Sequence, residues 1–184
     1  GYSEKSKPEK TLAKYQGYIN TVKSGKMIIS EADYDLARSM VLAIKRNRPA
    51  KWLLDQTDHT QAKKEWEYGG YNWHGYIDMK GEHMKCDLKI TPDANPRKFQ
   101  YKVRDMRYHW QGAKYTGNDK TDFYFIAADR GCNVSVHQLP KSEMDSAWQD
   151  IDFYMQKFKR CVLNDDWGAS WDYFAPNGIY KVRI

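Results

Sequence analysis

The sequence predicts an α/β fold, a mixed sheet sandwiched between helices. Three observations point there. Amphipathic helical segments flank a central run of strand signals, a glycine-turned hairpin leads into that run, and two largely apolar or alternating strand segments follow a helix. The order helix, helix, hairpin, strand, helix, strand, strand, helix is that of a single domain covering 1–184, with a basic helical arm over 1–24 and a wrapping tail over 164–184.

Residues 8–22 carry lysines ahead of Tyr15, Tyr18 and Ile19, which predicts a short amphipathic helix ended by Ser24-Gly25. Ser30 is a natural N-cap, with Glu31 and Asp33 in the first turn and Lys45, Arg46 and Arg48 in the last. Ala32, Leu36, Met40, Val41 and Ile44 share one face of this second helix, and Pro49 is expected to stop it. Residues 52–64 predict a short helical turn or loop. Glu65–Tyr68, Gly69-Gly70 and Tyr71–Asp78 then form a hairpin, with Trp66 and Tyr68 on one face and Glu65 and Glu67 on the other. Gly81 is the next turn, and Cys86–Thr91 the next strand.

Asn95-Pro96 reads as an N-cap followed by a first-turn proline. The helix it opens runs to Tyr115, with a break near Asp105 and Gly117 as its C-terminal signal. Thr121–Ala128 is a buried strand and Val134–Leu139 its partner across the Asp129-Arg130-Gly131 turn. A last helix over 142–163 turns Ala147, Ile151, Tyr154, Phe158 and Val162 inward.

The chain of 184 residues carries 30 basic and 24 acidic side chains, a net charge of +6. Its mean hydropathy of −0.89 and pI near 9.0 describe a charged surface suited to a polyanionic partner. Arg97, Lys98, Lys102, Arg104, Arg107 and Lys114 cluster against the single acid Asp105. Three cysteines without a Cys-x-x-Cys pair exclude an evident zinc cage and point to a reducing, cytoplasmic setting. No membrane span or signal peptide is visible.

The chemistry concentrates between Gly75 and Tyr115. Side chains alternate along a strand, so Asp87 and Lys89 share a face and Leu88 is expected to point into the core between them. An antiparallel return places Asp78 beside that pair. Two carboxylates and an amine on one sheet face, with the Leu88 carbonyl as a third oxygen, suit Mg²⁺ and a water beside a phosphate.

The series Asp78…Asp87-x-Lys89, continued by Asp93–Pro96, Phe99, Tyr108-His109-Trp110-Gln111 and Tyr115, resembles the PD-(D/E)XK nucleases. Within them it is similar to the exonuclease VIII (RecE-type) and RecB-like branch, whose helix motif Gln-x-x-x-Tyr is matched by Gln111 and Tyr115. The resemblance implies a restriction-endonuclease-like core and a Mg²⁺-dependent exonuclease (Mn²⁺ as substitute) acting on double-stranded DNA ends in phage-type recombination. It further implies a ring-shaped homo-oligomer and a single-strand annealing partner. Asp78, Asp87, Lys89, Gln111 and Tyr115 would be catalytic, and Asp78, Asp87 and the Leu88 carbonyl would bind metal. Glu65 matches an acidic position on the family's hairpin and is a weaker metal candidate. Lys98, Lys102, Arg104 and Arg107 are candidate DNA contacts; a solvated helix face explains them almost as well, and Tyr115 could equally be core. One departure is plain. The family's upstream Gly-x-x-x-His and Leu-Glu-Pro block, whose His is a further metal ligand, has no match in residues 1–60, since His59 stands in Thr-Asp-His-Thr. The natural chain is therefore expected to begin earlier or to lack that ligand, and an endonuclease or a degenerate DNA-binding module stand as alternatives.

Overall fold

The computed structural model describes residue 17 and residues 29–117, 119 and 121–167. The predicted arm over 1–24, residue 17 apart, and nearly all of the tail over 164–184 lie outside the described residues. The elements are α1 (Glu31–Arg46), α2 (Arg48–Asp55), β1 (His59–Tyr68), β2 (Tyr71–Lys80), β3 (Met84–Ile90), α3 (Pro96–Asp105), α4 (Tyr108–Thr116), β4 (Asp122–Ala128), β5 (Val134–Leu139) and α5 (Lys141–Asn164). The five strands form one sheet in the order β1-β2-β3-β4-β5. Only β3 and β4 run parallel, joined by the α3–α4 crossover, and the other neighbours are antiparallel.

Local chemistry sets most boundaries. Ser30 accepts from the Asp33 N–H to cap α1. Pro49 does more than stop that helix: Asn47 accepts from the Ala50 N–H, and the proline, in its first turn, opens α2. The helical turn or loop expected over 52–64 is helical to Asp55, the end of α2, but from His59 onward it is strand, because β1 pairs with β2 on either side of Gln61 up to Tyr68. Asn95 caps α3, and the expected break after Asp105 is real, with Arg107 held at φ +54° between α3 and α4.

Two layers of core cover the sheet. One packs Met40, Ile44 and Leu53 of α1 and α2 on Met79, Cys86, Ile126 and Ala128. The other packs Phe99 of α3, with Tyr108 and Tyr115 of α4, on Phe123, Phe125 and Ala127. A smaller cluster joins Ala113 to Ala147 and Ile151 of α5. Three expectations of burial fail. Leu88 is 38% exposed and lies on the α1–α2 face beyond the reach of those helices, and Tyr154, Phe158 and Val162 of α5 are exposed, as is Val41 of α1.

Helix α4 sits close to the sheet because Gly112 leaves room. A Cβ there would stand 2.4 Å from Leu139 Cδ2 and 3.1 Å from Phe123 Cδ1. Gly112→Ala is expected to lower stability by about 1–3 kcal/mol through forced repacking, read as a shift in the urea midpoint, and to lift the neighbouring Gln111 from its partners.

Candidate active site

The site is built where β2 parts from β3. Their ladder pairs Met79 with Cys86 and Lys80 with Lys85. Continued by one place, that register sets Asp78 opposite Asp87, on one face of the sheet. Strand pairing stops there, and the Asp78 side chain takes over: its Oδ2 accepts from the Leu88 N–H at 2.9 Å. The N–H and C=O of a strand residue point to the same side, so the Leu88 carbonyl also looks toward Asp78, past the last paired residues. Gln61, opposite Asp78 on β1 and held at φ +50°, donates from Nε2 to Asp78 Oδ1 at 2.8 Å. This residue carries no sequence signal; only the backbone distortion reveals it.

Asp87 is buried, at 3% exposure. Lys89 Nζ stands 2.7 Å from Asp87 Oδ2 as an ion pair and donates to Gln111 Oε1 at 2.8 Å. The Gln111 amide in turn donates to Asp87 Oδ1, closing a ring of three side chains. Tyr108, named in the sequence motif but given no site role there, places its ring 4.5 Å from Lys89 Nζ. Burial pushes the Asp87 carboxyl above the usual carboxylate range, with the Asp78 charge adding to the rise, while Lys89 and Gln111 pull it back.

Asp78, Asp87, Lys89 and Gln111 are thus brought together. Tyr115 is elsewhere: its ring packs over Gly75, edge-on to Trp66 and beside Phe123, and its carbonyl accepts from Lys64 Nζ at 2.6 Å. Glu65 is not part of the cluster either. It is exposed, faces His74 across the ladder and pairs with Lys63 at 2.6 Å, about four residues or ~13 Å of strand from Asp78. The four basic residues expected to contact DNA each have an internal acceptor. Lys98 pairs with Asp93 at 2.6 Å, Lys102 donates to Thr91 Oγ1 at 3.1 Å, Arg104 lies 3.8 Å from Glu143, and Arg107 lies 3.4 Å from Asp150.

The donor set suits a hard divalent cation. Asp87 Oδ2 is buried and, apart from its ion pair, has no directed hydrogen bond, and the Leu88 carbonyl supplies a neutral oxygen beside two carboxylates. Among the described residues no group of three or more His, Cys, Asp or Glu side chains is placed to hold a metal.

Residues 2–172 match the model of a PDDEXK-like domain of unknown function, DUF3799. The chain belongs to that family. This places it in the PD-(D/E)XK superfamily, and the mixed five-stranded sheet between helices is the restriction-endonuclease-like fold. The crystal structure of a "Putative exonuclease" from Eubacterium rectale aligns over 100% of this chain and 79% of that one, with a TM-score of 0.64 at 16% identity. That likeness supports the fold. The crystal structure of SSO0001 aligns over 62% of this chain and 57% of that one at a TM-score of 0.36 and 10% identity, a weak likeness. A comparison with curated proteins finds no match. No helix among the described residues is long and apolar enough to cross a membrane.

Because the folded value of Asp87 lies above the unfolded one, its ionisation opposes folding as pH rises through that interval. Carboxyl ¹³C titration without divalent metal is expected to show Asp87 above the ordinary ~3.9. Gln111→Ala, which removes a donor to the ionised form, should move it further up; a downward shift would contradict the ring of contacts.

Proposed function

We propose that this chain is a Mg²⁺-dependent DNA exonuclease that hydrolyses phosphodiester bonds at duplex ends, in the manner of the exonuclease VIII branch. One observation carries the reading: Asp78 and Asp87 meet on one sheet face with Lys89 and Gln111 locked beside them. Asp78, Asp87 and the Leu88 carbonyl would hold the metal, with Mn²⁺ as a substitute. When bound, the ion lowers the pKa of a water and polarises a phosphoryl oxygen. The protein's own part is positional. Gln111 spans Asp87 and Lys89 with the two ends of its amide, so the ammonium stays aimed at the carboxylate edge where a phosphate would sit. There Lys89 orients the attacking water and offsets charge that develops on the phosphorus. Gln61 and the Leu88 N–H fix both oxygens of Asp78, which keeps that carboxylate from rotating away.

The cations at Lys98, Lys102, Arg104 and Arg107 would approach the DNA backbone after exchanging their internal acceptors for phosphates, at a cost that makes them weaker contacts than free lysines. A ring-shaped oligomer and a single-strand annealing partner complete the recombination role implied by the branch.

A second reading, a DNA-binding or assembly module that has lost catalysis, is favoured by the lack of a third ionisable metal ligand among the described residues. Lys89→Ala is expected to reduce nucleotide release from linear duplex DNA with Mg²⁺ by about 100-fold or more. Equal rates in both proteins would end the exonuclease proposal. Nicking of covalently closed circles would redirect it to an endonuclease, and calorimetry without any Mg²⁺ uptake would favour the binding module.

A further inference from the structure

Beyond the metal site, α4 forms one wall of a cleft of about 650 Å³ that the hairpin and α5 complete. Its lining is aromatic: Trp66, Tyr71 and Trp73 from the hairpin, Trp110 from α4, and Tyr154 and Phe158 from α5. Several of these rings are more than a third exposed although they are among the largest apolar side chains in the chain: Trp73 at 38%, Tyr154 at 38% and Phe158 at 39%. Gln111 lines the cleft as well, and the same side chain contacts Asp87 and Lys89, so the cleft and the candidate active site share this residue.

Two lining residues carry buried donors that no acceptor among the described residues meets, Trp66 Nε1 and Lys114 Nζ. The Lys114 ammonium lies 3.6 Å from the centre of the Tyr68 ring, 4.9 Å from Trp73 and 4.8 Å from Trp148. Burial lowers its pKa to about 8, so it keeps most of its charge at neutral pH. The nearest carboxylate, Asp152, is taken by the Tyr68 hydroxyl. Orphan donors and a positive charge ask for an acceptor-rich anion. The flat rings ask for flat, apolar partners.

We propose that this cleft receives the unpaired end of a DNA strand, its bases stacking on the exposed rings while its backbone passes Gln111 into the metal site. A nucleic acid strand joins both chemistries, since each base offers a π-face and each linkage an anionic acceptor. A duplex does not fit the requirement, because its base faces are already stacked on one another. Lys114 follows Gln111 by one helical turn on α4, about 4.5 Å along the axis, which places its charge beside the nucleotide next to the reacting one. The inference rests on the nuclease reading for the direction of the strand, but its binding test does not need cleavage.

The test is fluorescence anisotropy of a labelled short oligothymidylate with chelator present, against an abasic strand of equal length. The natural chain should bind oligothymidylate about tenfold more tightly than the abasic strand. Trp73→Ala and Tyr154→Ala should each erase most of that difference, and Trp73→Phe, which keeps a ring, should restore it. Equal affinity for the two strands, or an unchanged preference in folded Trp73→Ala, overturns the proposal. A preference that depends on Trp73 in a chain that cuts nothing with Mg²⁺ upholds the cleft and sinks the nuclease reading. Cleavage by a chain that shows no such preference does the reverse.

Discussion

The structure depends on where one strand ladder ends. A central strand must satisfy its main-chain groups, and β3 does so on one side along the whole of β4. On the other side β2 stays only for two residue pairs, and the Asp78 carboxylate then accepts the Leu88 N–H that the ladder has abandoned. Two consequences follow from this exchange. Asp78 is held opposite Asp87 rather than free in solvent, and the rest of the hairpin is released from the sheet. Its glycine turn, at φ +66° and +83°, carries Trp66, Tyr68 and Trp73 onto α4 and α5, where Lys64 and Tyr68 anchor it to Tyr115 and Asp152.

The electrostatics of the site follow from burial. Taking the Asp87 carboxylate out of water raises its pKa, a cost that the Lys89 ammonium and the Gln111 amide offset. The Tyr108 face adds favourable charge–quadrupole contact under the same ammonium. Such a cluster is a poor stabilising device, since an apolar trio of similar size would fold as well or better. Its place at the open edge of the ladder leaves the paired carboxylates at the point where β2 no longer covers β3. Elsewhere a buried charge is spent on architecture: Asp129 accepts from the Ala94 and Asn133 N–H groups and so ties the β4–β5 turn to the start of α3.

Much of this was legible in the sequence. Asn95-Pro96, the Gly69-Gly70 hairpin and the alternation of Asp87 and Lys89 each have a local physical cause, and the structure uses each as read. What escaped was set by distant parts of the chain. Leu88 and Ile90 look like core residues, yet the α1–α2 layer ends before reaching them, and no local pattern encodes where a covering helix stops. Tyr154, Phe158 and Val162 keep helical spacing with the buried Ala147 and Ile151, but Tyr154 and Phe158 pack on the rings of Trp110 and Tyr71 and still stay more than a third exposed. Gln61 adopts a backbone conformation that few non-glycine residues favour, and only the contact with Asp78 explains why it is held there.

The fates of Gln111 and Tyr115 show how far a motif constrains a site. Four residues apart, they differ by about 6 Å of rise and about 40° of rotation on α4, near enough for both to face the sheet. Gln111 meets Asp87 because β2 is absent from that stretch of the β3 edge. One turn later the departing hairpin has folded over the helix, and Gly75 brings its backbone against the Tyr115 ring. The same local exit of β2 that exposes the carboxylate edge to Gln111 therefore roofs over Tyr115. The tyrosine holds the hairpin in place and, through it, the wall of the aromatic cleft; its contribution to a reaction would be to position, not to touch, the reacting groups.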